Sequence, residues 1–208
     1  MNKYDMWGWD QQIEYENDLK IVYELETDSG FENEYPEETA KGTGLYGELT
    51  EEAVEHMISE YGDYFTNPNG VFYDMGSGTG KVVSHVALGT QLSKVCGVEL
   101  DKVRFAKSTK LVSRLSFPFC TPELIHGDFF EQDYSDATVM YFDNTMWHEY
   151  FVENKKHVET LFETIKPGTL ILTKEQMPHV YGHHKHAALP TSYEWTPGYS
   201  LIFLGINP

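Results

Sequence analysis

The sequence predicts an α/β fold of the doubly wound kind, an open and mostly parallel sheet with helices on both faces. Three observations lead there. From Val71 onward, short apolar runs alternate with stretches of helical periodicity. A cluster of three glycines, Gly76, Gly78 and Gly80, directly follows the first of those runs. The chain has 208 residues, 40% of them hydrophobic, which is enough for one sizeable core.

The elements follow in order. Residues 1–43 are read as an acidic N-terminal extension or lid, and 44–208 as the main domain. Tyr4, Trp7, Trp9, Tyr15, Tyr23 and Tyr35 make the first segment too aromatic for simple disorder. Thr50 is placed to cap a helix that runs on through Ile58, with apolar residues at 54, 57 and 58. Asn67-Pro68-Asn69-Gly70 then breaks the chain. Strands are expected at Val71–Met75, Lys94–Leu100, Glu123–Gly127, Thr138–Asp143 and Thr169–Thr173. Helices are expected at Lys81–Leu88, Val103–Leu115 and Phe151–Ile165, the last stopped by Lys166-Pro167-Gly168. The terminal Ser192–Leu204 stretch reads as an antiparallel hairpin turning at Pro197-Gly198.

Composition narrows the function. The formal net charge is −18, and residues 1–60 hold 17 of the 33 acidic side chains against three lysines. Such a surface repels nucleic acid and anionic membranes and attracts basic partners. It also suits a segment that serves only solubility. No apolar run is long enough to span a bilayer, and the N-terminus shows neither a basic start nor an apolar stretch. With two cysteines, Cys96 and Cys120, there is no disulfide framework. These features imply an intracellular setting, nucleus or cytoplasm undecided. The run Tyr181-Gly182-His183-His184-Lys185-His186 invites a metal, but no further ligand at suitable spacing completes it, and a surface loop is expected.

The loop Asp74-Met75-Gly76-Ser77-Gly78-Thr79-Gly80-Lys81 carries the chemistry. Glycines there let the backbone turn sharply and approach a ligand. The spacing departs from the dinucleotide pattern G-x-G-x-x-G and from the phosphate-binding G-x-x-x-x-G-K-[ST]. Glu99 closes the second strand, 19 residues past Gly80, near the offset at which an acid meets ribose hydroxyls. Asp74 ends the first strand, where it could order the loop or face the amino group of a methionine moiety.

An acid-x-G-x-G-x-G loop followed by an acid ending strand two resembles the class I methyltransferases. Leu45-Tyr46-Gly47-Glu48-Leu49-Thr50, His126-Gly127-Asp128-Phe129-Phe130, Phe142-Asp143-Asn144-Thr145-Met146-Trp147 and Ser192-Tyr193-Glu194-Trp195-Thr196 narrow it. Together they resemble the catalytic domain of the disruptor-of-telomeric-silencing family, the non-SET histone lysine methyltransferases, over roughly 44–204. The resemblance implies a Rossmann-like class I methyltransferase fold, with a seven-stranded, mostly parallel sheet and a C-terminal antiparallel hairpin. It implies S-adenosyl-L-methionine as cofactor, S-adenosyl-L-homocysteine as product, and no metal. Tyr46 and Glu48 would lie over the methionine end. Asp74, Gly76, Ser77, Gly78 and Gly80 would line the crevice, and Glu99 would hold ribose. Asp128 would bond the adenine amino group while Phe129 packs on the purine. Asn144 would stand at the transfer end, with Trp147 and Tyr199 as walls of the lysine channel.

Bland alternatives stay open: Phe129 as core, Asp128 as a helix cap, Asn144 as a turn residue, Trp147 as packing. Departures from the family pattern are Asp143 where an asparagine is usual, Thr145 where a phenylalanine follows, and no tyrosine in register after Trp195. The family's lysine-rich DNA-binding segment is not seen in this sequence. The expected partner is therefore a basic protein, such as a histone, with no direct contact to nucleic acid or membrane. A methyltransferase for small molecules or non-histone proteins, and a non-catalytic cofactor-binding module, are the competing readings.

Overall fold

The computed structural model describes residues 9–23, 48–144, 155–174, 188–193 and 196–206. The helices are α1 (Trp9–Tyr23), α2 (Glu51–Glu60), α3 (Gly62–Phe65), α4 (Lys81–Gly89), α5 (Lys102–Val112) and α6 (Lys155–Glu163). The strands are β1 (Val71–Met75), β2 (Lys94–Glu99), β3 (Glu123–His126), β4 (Val139–Phe142), β5 (Leu170–Thr173), β6 (Ala188–Tyr193) and β7 (Thr196–Ile206). A single 3-10 turn covers Phe129–Glu131.

The sheet runs β3-β2-β1-β4-β5-β7-β6. Its parallel part is five strands, β3 to β5. β7 joins β5 antiparallel, and β6 joins β7 antiparallel. The expected turn at Pro197-Gly198 is not where the chain reverses, because both residues lie inside β7. Tyr193 pairs with Thr196 and Thr191 with Ser200, so the register shifts there and the extra residues of β7 form a bulge. Proline, which donates no N–H to a ladder, is tolerated at such an irregularity.

Strand alternation distributes the core to two faces. Phe72, Val139, Tyr141, Leu170 and Leu172 point to one face, where Ala53, Val54, Met57, Val83, Val86 and Ala87 of α2 and α4 cover them. Tyr73, Met75, Met140, Phe142 and Ile171 point to the other, under Leu161 and Ile165. Burial on both faces explains why these strands read as unbroken apolar runs.

Local chemistry sets the helix starts. The Thr50 hydroxyl accepts from the Ala53 N–H at 3.3 Å, as the sequence predicts. α5 begins at Lys102 because the buried Asp101 caps it, accepting from the Arg104 N–H at 2.7 Å. The sequence pattern does not mark α1 as a helix. It packs Tyr15, Leu19 and Val22 against Leu88 of α4. Its tyrosines also reach the buried His85: Tyr23 Oη stands 2.8 Å from Nδ1 and Tyr15 Oη 3.2 Å from Nε2. Among the described residues no helix is long and apolar enough to cross a membrane.

Candidate cofactor-binding and transfer site

β1 lies between β2 and β4, and its carboxyl end feeds the glycine loop. The loop is tied down at once: the N–H groups of Gly76 and Ser77 both donate to the Val98 carbonyl at 2.9 Å. Gly76, Gly78 and Gly80 take positive φ, at 86°, 57° and 85°. Gly80 is doubly constrained, since a Cβ there would also stand 2.8 Å from Ser108 Cβ. Gly97 of β2 serves the same bend from below. A Cβ at 97 would meet Ser77 Oγ and Val83 Cγ2, each at 2.8 Å. The Ser77 hydroxyl therefore packs toward β2, buried and without a hydrogen-bond partner.

Three carboxylates gather at this end of the sheet. Glu99 accepts from the Gly78 N–H through one oxygen and from the Asp101 N–H through the other, both at 2.7 Å. Burial pushes its pKa up, and those two bonds oppose the rise. Each oxygen keeps a further lone pair, so ribose hydroxyls could still donate to it. Asp74 is only 2% exposed. Burial, then the negative charges of Glu99 and Asp143, hold its pKa well above the ordinary carboxylate range. A carboxylate cluster of this kind suits a cationic ligand that carries hydroxyls and repels a phosphate, and an adenosyl sulfonium with its methionine ammonium fits that description.

Glu48 sits across the loop. It accepts from the Thr79 hydroxyl at 2.7 Å and pairs with the ammonium of Lys81, which is itself buried. The sequence marks Lys81 as a departure from nucleotide-binding patterns, yet nothing in it shows that the lysine would meet Glu48, 33 positions upstream. Asp128 caps the 3-10 turn, accepting from the Phe130 N–H at 2.8 Å. Phe129 is buried and touches Phe130 and Phe142, with ring centroids 4.5 Å and 5.1 Å away. So the cap and core roles are both realised, half a turn beyond the end of β3.

Asn144 follows β4 and is 2% exposed, next to Asp143. β4 and β5 are in register through Phe142 and Thr173, which sets Lys174 beside Asp143. Lys174 is buried too, and a single lysine after a strand carries no sequence pattern that marks it. Tyr46, Trp147 and the His183–His186 run lie outside the described residues. Tyr199 has its backbone in β7.

A family model described as histone methylation protein DOT1 matches residues 32–188. The chain belongs to that family. Its glycine loop and Glu99 carry the motifs that the disruptor-of-telomeric-silencing family shares with class I methyltransferases that use S-adenosyl-L-methionine. A protein-lysine N-methyltransferase of Saccharolobus islandicus is 29% identical over 105 residues, which span 50% of this DOT1-family chain and 62% of that relative. The fold of this DOT1-family chain has neighbours among solved structures. An RNA methyltransferase from Salinibacter ruber, in complex with S-adenosyl-L-homocysteine, superposes with a TM-score of 0.60 at 22% identity, covering 77% of this chain and 94% of its own. Magnesium protoporphyrin IX methyltransferase from Synechocystis, with bound cofactor, gives 0.56 at 14% identity over 91% and 96%. At such identities the likeness concerns the fold.

Proposed function

We propose that this methyltransferase acts on the side-chain amine of lysine in a basic protein, and that histones are representative of the substrates. The observation that supports the reading is the buried, uncharged Asn144, next in the chain to Asp143, whose charge reaches the buried Asp74. In this reading Asp74 faces the methionine ammonium, Glu99 receives the ribose hydroxyls, and Asp128 and Phe129 border the adenine. Glu48, latched by Thr79 and Lys81, closes the loop over the methionine end with Tyr46. The antiparallel β6–β7 pair is the terminal hairpin, and residues 1–43 form the extension.

The cofactor supplies an already activated methyl group, so the protein's task is alignment and control of charge. A lysine amine is ordinarily protonated, with a pKa near 10.4 in water. Moving it into an apolar channel beside a sulfonium favours its neutral form. The Asn144 amide oxygen can hold that amine without adding a charge, and Trp147 and Tyr199 are the proposed channel walls. The Saccharolobus relative supports a protein-lysine substrate.

The test is calorimetry with S-adenosyl-L-methionine, followed by labelled-methyl transfer to free core histones and, separately, to nucleosomes. Binding followed by transfer to free histones supports the reading. Binding without transfer to any protein would replace it with a cofactor-binding module. Efficient nucleosome labelling would overturn the exclusion of DNA drawn from the chain's charge.

A further inference from the structure

Lys174 is a buried basic residue at the carboxyl end of the sheet. It stands one residue past the end of β5, as Asp143 stands one residue past the end of β4, and the two strands are paired at Thr173 and Phe142. Its side chain is 5% exposed, and Asn144, at the position assigned to methyl transfer, is 2% exposed. Asp143 is a charge that faces Lys174; Asp74, whose carboxyl feels Asp143 in turn, lies beyond it on β1. Burial pulls the amine down to a pKa of about 8, and the attraction of Asp143 offsets only part of that.

We propose that Lys174 is the proton acceptor of the transfer step: its neutral amine takes one proton from the ammonium of the substrate lysine. The N–H bond breaks on the substrate nitrogen, which keeps the electron pair and becomes the nucleophile. A new N–H bond forms on Lys174 Nζ, turning it into an ammonium beside Asp143, and water removes that proton after product release. The assignment rests on the reading of this site as a lysine methyltransferase. It gives the family site a base where Asn144 offers none, and it explains why a carboxylate occupies position 143: Asp143 receives the charge that the step creates.

Two measurements test it. The first uses the whole chain labelled with carbon-13 at lysine Cε, with the Lys174 signal assigned by its loss in Lys174→Arg. Lys174 should titrate near 8 in the free protein. Cationic S-adenosyl-L-methionine should lower that value by about 1 unit, and neutral S-adenosyl-L-homocysteine should not, because only the sulfonium repels an ammonium close by. The second follows turnover on free core histones. Lys174→Arg keeps the positive charge and cannot give up its proton, so turnover at pH 7.5 should fall about 100-fold. Affinity for S-adenosyl-L-homocysteine should be unchanged. The deficit should shrink as pH approaches 10, where substrate lysine loses its own proton. A titration indifferent to the sulfonium, or an arginine variant with wild-type turnover, overturns the inference and leaves lysine methylation intact. A sulfonium-dependent shift without transfer to any amine sinks the lysine reading itself.

Discussion

Asp74 and Glu99 are both buried acids, but their surroundings assign them different work. Glu99 is satisfied by two backbone N–H groups and stiffens the loop even without ligand. Asp74 is desolvated and surrounded by acids. Its folded pKa is raised above the unfolded value, so the stability it permits is complete at pH below about 4. That stability is lost as pH rises through the window up to the folded pKa. Asp74→Asn should therefore raise the thermal midpoint at neutral pH and leave it nearly unchanged near pH 3.5. The same variant should lose more affinity for S-adenosyl-L-methionine than for S-adenosyl-L-homocysteine. A less stable variant at pH 7 would show that Asp74 has a partner that compensates its burial. Glu99→Ala and Asn144→Ala separate binding from turnover. The first should cost about 1–3 kcal/mol of cofactor affinity through lost charged hydrogen bonds. The second should lower kcat and leave that affinity within about twofold, the pattern of a group that acts in the transition state. Equal losses in both variants would remove Asn144 from the transfer end.

At the scale of elements, the site depends on how closely the loop presses on β2. Gly97 permits that contact, because Ser77 and Val83 occupy the space a side chain would need. Gly97→Ala should destabilise the fold by about 1–3 kcal/mol, the usual cost of overpacking a filled interior. Because the loop must lift to relieve the clash, cofactor affinity should fall as well. Denaturant melts together with calorimetry check both, and a stable variant with reduced affinity would place the strain in the loop alone. α1 shows the opposite arrangement. It attaches through Tyr15, Leu19, Val22 and the His85 contacts to the middle and last turn of α4, past the glycine loop. α4 is held at the loop by its first residue, Lys81, and to α1 by its middle and last turn, through His85 and Leu88.

For the whole molecule the decisive quantity is charge. A net charge of −18 on 208 residues creates a long-range field that favours encounter with cationic chains. If the substrate is basic, kcat/KM on free core histones should drop steeply between 50 and 300 mM salt, on the order of tenfold, as the screening length shortens. The kcat measured at saturating substrate should change little. Salt-independent kcat/KM would mean that recognition is local to the channel and that the acidic surface serves solubility.

Much of this protein is legible in its chain. Periodicity marks β1 to β5 and α2, α4, α5 and α6 within a few residues, since buried parallel strands and their covering helices leave strong apolar patterns. The glycine loop and Glu99 are legible because backbone curvature and ribosyl chemistry each demand particular residues at a set spacing. What the sequence could not reveal are the pairings between distant residues. α1 hides because its buried stripe of Tyr15, Leu19 and Val22 is narrow and set among acidic neighbours. Pro197-Gly198 reads as a turn in isolation, and only strand register shows it as a bulge. Lys81 meets Glu48 across the glycine loop, and Lys174 stands by Asp143 through strand register. Local sequence determines which segments form elements and where a cofactor fits. Tertiary structure decides which charges share a low-dielectric space, because burial and proximity, not sequence distance, set how strongly charges act on one another.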